Sequence, residues 1–516
     1  MKPSKSREPM RRLWCLAWPA VAVAASVAAA GEDRRPPIEL PFALPEVRRP
    51  TFADARFPIT DYGARRNDDS NVSGAIAAAV EACAMAGGGH VVVPPGRWRS
   101  GPIHLRSGVV LHLEEGATIR FSDRFEDYLP PVFVRHAGIE IYNYSPLVYA
   151  RDCVNVGVTG RGGLEGNAER WWDWKKKETR RPFELSADVP VQERVFGTEQ
   201  DAIRPSFMAF VGCSNVLLED FTITSGPNWT VHPIYCDDVL IRGITVDTHG
   251  PNNDGIDVDS CRNVVIEDCS FNTGDDCVVL KSGYNQDGWR VGRPTENVVM
   301  RRCRGRNGHG GLVVGSEMSG DVRNVLMTDC DFEGTDHVLR IKSRIDRGGV
   351  VERVYVDGVR ARDLKRDVVL LTMGYTADRV ALGAARPPVF RDVVVANVTA
   401  EGAPAAIIVQ GLAESPIQDC RFENLTLSSV KGITLEHASR VTFRDIALAV
   451  QRGPVLEARA VRGLRLERMS PAAPDSARIT ISPGTSEVEL SECGFATREG
   501  AVRIEPGVPA TAVTVR

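Results

Sequence analysis

Four short motifs carry residue types able to do chemistry together. They read Asn252-Asn253-Asp254-Gly255-Ile256-Asp257-Val258-Asp259, Thr273-Gly274-Asp275-Asp276-Cys277-Val278, Asn307-Gly308-His309-Gly310-Gly311 and Leu339-Arg340-Ile341-Lys342. Crowded carboxylates repel, so at least one of Asp254, Asp275 and Asp276 is expected to hold a proton near neutral pH. A protonated acid beside ionised partners suits glycoside hydrolysis: the acid protonates the leaving oxygen while a base activates water. Arg340 and Lys342 stand two apart, so on a strand they share one face. Both suit the carboxylate of an acidic sugar, while Ile341 between them points into the core. Two other readings compete. Clustered aspartates can ligate calcium, with an Arg or Lys as base for β-elimination. Asp and Gly also make turns, which accounts for a single Asp-Gly but not for the whole set in step with a repeat.

The repeat is what must position these residues. Asn215-Val216-Leu217-Leu218-Glu219-Asp220 is echoed from Asp238, Asn263, Asn297 and Asn324, at steps of 23, 25, 34 and 27 residues. Arg353-Val354-Tyr355-Val356 and Asp392-Val393-Val394-Val395 continue the series, and Arg440-Val441-Thr442-Phe443 and Gly463-Leu464-Arg465-Leu466 extend it weakly. Strands recurring at such intervals without helices between them predict a parallel β-helix. Each strand then pairs with its copy one coil away, about 4.8 Å distant. Asp254 and Asp275, 21 residues apart, become near neighbours. Val216, Leu218, Val264 and Ile266 point inward and stack, and the leading Asn suits a left-handed turn position. An antiparallel sandwich would show hairpin dipeptides such as Asn-Gly, which are mostly missing. One amphipathic helix, Asn71 to Ala86, precedes Gly87-Gly88-Gly89 and reads as a cap over the hydrophobic end of the solenoid.

Composition sets the outer bounds. With 43% hydrophobic and 25% charged residues the chain is ordinary globular material. Residues 1–30 read as a signal peptide, with a basic start and an apolar run from Leu13 ending in Ala28-Ala29-Ala30. Its removal takes the formal net charge from −4 to about −8, which argues against nucleic-acid binding. No later apolar run is long enough for a membrane span. The expected location is therefore the periplasm or the medium, as a monomer with no membrane contact in its mature form. Residues 31–55 read as a Pro-rich linker, and 56–516 as a single catalytic domain. Eleven cysteines remain after the leader; they are scattered without a CxxC pair and read mainly as buried thiols.

In order and spacing, Asn-x-Asp-Gly-x-Asp, Gly-Asp-Asp, Gly-His-Gly and Arg-Ile-Lys resemble the four signatures of glycoside hydrolase family 28, the polygalacturonases. Asp61-Tyr62-Gly63-Ala64, Gly87-Gly88-Gly89, Pro94-Pro95-Gly96 and Leu113-Glu114-Glu115-Gly116-Ala117 are similar to its bacterial exo-type branch. The resemblance implies a right-handed parallel β-helix and inverting hydrolysis of α-1,4-galacturonosyl bonds in pectin, with no metal or organic cofactor. It implies Asp275 as general acid, and Asp254 and Asp276 as the pair that holds and activates water. His309 would tune the acid or hold the hydrogen-bond network. Arg340 and Lys342 would bind the substrate carboxylate, with Asn252 and Tyr375 as further substrate-binding residues. One departure is visible: Asn253 stands where the family has Thr. A rhamnogalacturonan-active hydrolase of the same family is the alternative. Residues 167–205 form a charged, aromatic insertion with Trp171, Trp172, Trp174 and Lys175-Lys176-Lys177. It is expected either to wall one end of the cleft, with a Trp stacking on sugar, or to pack its Trps on the barrel side. The former favours exo action.

Overall fold

A computed structural model describes residues 38–177, 182, 185, 188–376, 386–473 and 477–516. The signal-peptide expectation lies outside them. Among the described residues, 35 strands join one parallel sheet wound as a right-handed β-helix, and three form a second small sheet. No helix of the described residues is long and apolar enough to cross a membrane.

The leading polar residue of each repeat does what the sequence requires of it. Asn215, Asp238, Asn263, Asn297 and Asn324 all have φ between 54° and 58°, the left-handed region that Asn and Asp tolerate. Their side chains bond rung to rung, Asn297 donating to Asn263 at 3.1 Å and Asn324 to Asn297 at 2.9 Å. Parallel pairing then stacks Val264 on Val298 and Ile266 on Met300 inside the core. The helix Ser73–Met85 buries Ile76, Ala79, Val80 and Cys83 in that same core, which is the capping role expected of it. Among the described residues, eleven cysteines are free and buried.

Residues 38–52 are tied down rather than loose, so the compact unit begins at Ile38, ahead of the expected domain start at 56. Register aligns Leu217, Leu240, Val265, Val299, Leu326, Tyr355 and Val394 in one column that faces out of the coil. The segment covers this column. Val47 and Phe52 pack on its first four members, and Ile38, Leu40 and Phe42 on its last three. Arg49 adds an ion pair to Glu219 at 2.8 Å.

Five strands carry the cleft: β1 (Ile256–Asp259), β2 (Val278–Lys281), β3 (Leu312–Val314), β4 (Leu339–Lys342) and β5 (Asp367–Thr372). They pair in sequence order as consecutive rungs. The small sheet is an antiparallel hairpin, Val132–His136 with Ile139–Asn143, extended by Val195–Phe196. Its turn has φ of 48° at Ala137 and 80° at Gly138, the doubly positive pattern of a tight hairpin turn. The hairpin is anchored over the cleft strands. Arg135, fully buried, bonds Asp259 at 2.7 Å and Ser260 at 2.8 Å, and the Gly138 carbonyl accepts from Tyr284 N.

Candidate active site

The first and second acidic motifs sit at the turns that enter β1 and β2. Ile256 pairs with Val278, and Gly255 N donates to the Asp276 carbonyl at 2.9 Å. Asp254 therefore lies level with Asp276, and Asp275 sits one position further out in the turn. The third motif locks onto the second. His309 N donates to the Asp275 carbonyl at 3.0 Å. Gly308 makes the close approach possible: at φ 92°, a Cβ there would lie 2.6 Å from Thr273 Oγ1 and 2.7 Å from the Asp275 carbonyl. On β4, Arg340 and Lys342 face outward while Ile341 is wholly buried.

These turns and strands bring all eight expected residues to one cleft of about 340 Å³: Asn252, Asp254, Asp275, Asp276, His309, Arg340, Lys342 and Tyr375. His309 Nδ1 and Asp275 Oδ1 are 2.8 Å apart. Asp275 Oδ1 also accepts from Asp276 N at 3.0 Å, and Asn252 Nδ2 reaches Asp275 Oδ2 at 3.5 Å. Lys342 Nζ donates to Asp276 Oδ2 at 2.9 Å. The Arg340 and Lys342 cations stand 5.5 and 5.4 Å from the centre of the Tyr375 ring. Among the residues that line the cleft, three buried polar atoms have no hydrogen-bond partner: Asp254 Oδ1, Asp276 Oδ1 and Arg340 Nε.

The carboxylates titrate apart, as crowding requires, but the proton sits elsewhere than the general-acid assignment would suggest. Burial pushes Asp254 well above the carboxylate range, and the charges of Asp257 and Asp275 push it further. Burial also lifts Asp275, yet its hydrogen bond to His309 and the charge of Lys342 outweigh this and hold it down to about 2. His309 is raised in turn by Asp275. In the free site burial thus favours the protonated form at Asp254 and at neighbouring Asp257, and the His309 imidazole is raised beside an Asp275 that is held down.

Asp275, Asp276 and His309 could also be read as metal ligands, since their donor atoms lie within 4.8 Å of one another. The donor set does not fit a hard cation well. Lys342 already occupies Asp276, and an imidazole occupies Asp275, whereas calcium takes six or more oxygens.

Several cleft residues were not singled out from sequence. Trp229 stands level with Asp254 on the preceding rung, where Thr230 N donates to the Asp254 carbonyl. Lys281 ends β2 with its ammonium 4.3 Å from the Trp229 ring centre, 3.2 Å from Glu317 and 3.8 Å from Asp257. Burial opposes ionisation of Glu317, but Lys281 and Arg347 hold it down to about 2. Strand parity was the available signal for Lys281, because Val279 and Lys281 face out as Arg340 and Lys342 do. In the insertion, Trp171 and Trp174 are buried against Phe125 and Tyr144. Trp172 donates to the Gly226 carbonyl at 2.9 Å. These Trps therefore pack on the barrel side. The insertion still reaches the site: Arg204 donates to Asn252 Oδ1 at 2.8 Å.

Comparison with known proteins agrees with this geometry. The family model for glycosyl hydrolases family 28 matches residues 90–445. An exo-poly-alpha-D-galacturonosidase of Dickeya chrysanthemi is 25% identical over 433 residues, covering 76% of this chain and 70% of that protein. Among solved structures, an exopolygalacturonase from Thermotoga maritima superposes with a TM-score of 0.73 at 37% identity, over 78% of this chain and 93% of its own. A family 28 exopolygalacturonase from Yersinia enterocolitica shares the fold at 21% identity, with a TM-score of 0.71 over 80% of this chain and 78% of its own. The chain belongs to glycosyl hydrolases family 28 and is a glycoside hydrolase.

Proposed function

We propose that this chain is an exo-acting polygalacturonase that cleaves α-1,4-galacturonosyl bonds of pectin with inversion, after export from the cell. The observation that carries the reading is the arrangement around Asp275. Asp254 Oδ1 and Asp276 Oδ1 are buried, level on adjacent rungs and without a protein partner. Buried polar oxygens require a hydrogen bond, and together these two accept one from the attacking water. Asp276, whose other oxygen accepts from Lys342 at 2.9 Å, serves as its base.

Asp275 delivers the proton to the leaving oxygen. It does so only once substrate is bound, because in the free site it is ionised. A galacturonate carboxylate on Arg340 and Lys342 neutralises the charge of Lys342, one of the influences that depress Asp275. Its own negative charge lifts Asp275 further. The proton shared across the Asp275–His309 bond then moves to the carboxylate, and the coupled set titrates as one unit. Arg340 offers its unpartnered Nε to the same anion.

Chain-end action is supported by the hairpin and the insertion, which stand over the N-terminal end of the cleft. The test is product analysis on polygalacturonate and rhamnogalacturonan side by side, with and without chelator. Expected are chelator-insensitive, non-absorbing short products from polygalacturonate, released as the β-anomer. Asp275→Asn should lose about 10²–10⁴-fold in kcat, the usual contribution of general acid catalysis. Unsaturated products, or an Asp275→Asn variant as fast as wild type, would overturn the reading.

A further inference from the structure

Resting on the exo reading, we infer that the closed end of the cleft accepts a single uronate residue, so that the enzyme releases monogalacturonate and not the dimer. The bond to be cleaved lies beside Asp254, Asp275 and Asp276. Toward the N-terminal coils the next rung places Trp229 level with Asp254. That rung closes the cleft. The His136 ring, from the end of the first hairpin strand, lies parallel to the Trp229 ring at 6.3 Å and 13°. His232 meets Trp229 edge-on at 4.9 Å. Trp229 itself is only 7% exposed: the His136 ring is parallel to it, the Lys281 ammonium stands over it at 4.3 Å, and its remaining exposed part lines the cleft.

The wall is held at the cleft floor from two directions. Arg135 of the hairpin is bonded to Asp259 on β1, the strand that follows Asp254. On the other side, Arg204 holds Asn252 and donates to the Pro227 carbonyl at 2.9 Å. Both anchors fall on the coil of Asp254 or the one before it. The distance from the reacting aspartates to Trp229 is thus about one rung, ~4.8 Å, and a hexuronate repeat along the cleft is about as long. A second sugar beyond it would have to displace the hairpin.

The chemistry of the end pocket suits a terminal sugar. Lys281 and Glu317, 3.2 Å apart and both facing the cleft, present a donor and an acceptor to ring hydroxyls. Trp229 offers an apolar edge to the sugar's C–H face. The opposite end of the cleft continues past Arg340 to Arg366, which pairs with Asp336 at 3.2 Å. The rest of an anionic chain extends that way.

The experiment follows the wild-type enzyme on tri- and tetragalacturonate, with early products separated by anion-exchange chromatography. Tetramer should give trimer and monomer, and trimer should give dimer and monomer, at every early time. Tetramer splitting into two dimers overturns the single-residue pocket while leaving chain-end action intact. A broad ladder from the polymer overturns chain-end action itself, and the pocket with it. In Trp229→Ala, KM for trimer should rise about tenfold, the upper range for loss of one aromatic contact, and on the long polymer dimer should be released beside monomer at early times. Unchanged KM and monomer alone from that variant would contradict the role given to Trp229.

Discussion

In the proposed mechanism Asp254 serves catalysis at the expense of stability. It is almost wholly buried with one oxygen unpartnered, and burial raises its proton affinity well above the ordinary carboxylate range. The sign follows directly. A carboxyl whose folded proton affinity exceeds its unfolded one favours folding at acid pH, and the advantage fades as pH rises above the unfolded value. Asp275 runs the other way: held to about 2, it contributes stability above the ordinary carboxylate range and loses it as pH falls toward 2. His309, raised by its bond to Asp275, contributes below its unfolded value and loses this as pH climbs through its raised one. Asp254→Asn keeps the shape and removes the ionisable group. It should abolish reducing-sugar release and raise Tm at pH 7, with the gain vanishing at about pH 3, where the unfolded aspartate is itself largely protonated. A Tm gain of equal size at both pH values would show that the raised proton affinity of Asp254 is not what costs stability.

At the level of elements, the strands were legible and the wall was not. The Asn-Val-Val-Ile pattern announces itself because each coil repeats one turn residue in the left-handed region and inward apolar residues two apart. The same repeat brings Asp254, Asp275, Asp276, His309, Arg340 and Lys342 together, since register alone fixes their spacing. The hairpin Val132–Asn143 escaped because its turn is Ala137-Gly138, and Ala is an uncommon residue at φ 48°. Trp229 escaped because nothing local distinguishes it; only the hairpin packing against it gives it a role. Gly138 is the position to test. With φ 80°, a Cβ there would lie 2.6 Å from Tyr284 N and 2.9 Å from the Gly283 carbonyl carbon, so Gly138→Val must lift the tip off the cleft strands. Strain of this kind costs on the order of 1–3 kcal/mol, which the solenoid can absorb. The expected outcome is an enzyme that still degrades polygalacturonate but with a broader spread of early oligomers. An unchanged product pattern would mean the hairpin does not limit what enters the cleft.

Over the whole molecule, the chain solves a problem that its repeat creates. Runs such as Val216-Leu217-Leu218 and Val264-Val265-Ile266 place an apolar residue on the outer face of successive coils, where alternation calls for a polar one. A column of seven such residues, from Leu217 to Val394, would be an exposed hydrophobic stripe along the solenoid. Residues 38–52 cover it lengthwise, starting where Ile38 N bonds Asp357 at 3.4 Å and ending where Phe52 meets His90 at 6.2 Å. Composition alone made this stretch resemble a linker, because Pro and charged residues between its few apolar side chains mask a pattern that only the column beneath explains. Burial of a large apolar side chain contributes about 1.5–3 kcal/mol. Even partly buried, Ile38, Leu40, Phe42, Val47 and Phe52 together are worth on the order of 5 kcal/mol. Removing residues 38–52 should therefore lower Tm by several degrees and create binding of a hydrophobic dye. Turnover per folded molecule should stay unchanged, since the cleft lies on the face formed by β1 to β5 and the strap touches none of its residues. Replacing Phe42 alone, whose ring meets Tyr355 edge-on at 5.6 Å, should give a smaller fall in the same direction. If the shortened protein melts at the wild-type temperature, the column is covered without benefit and this account of the strap is wrong.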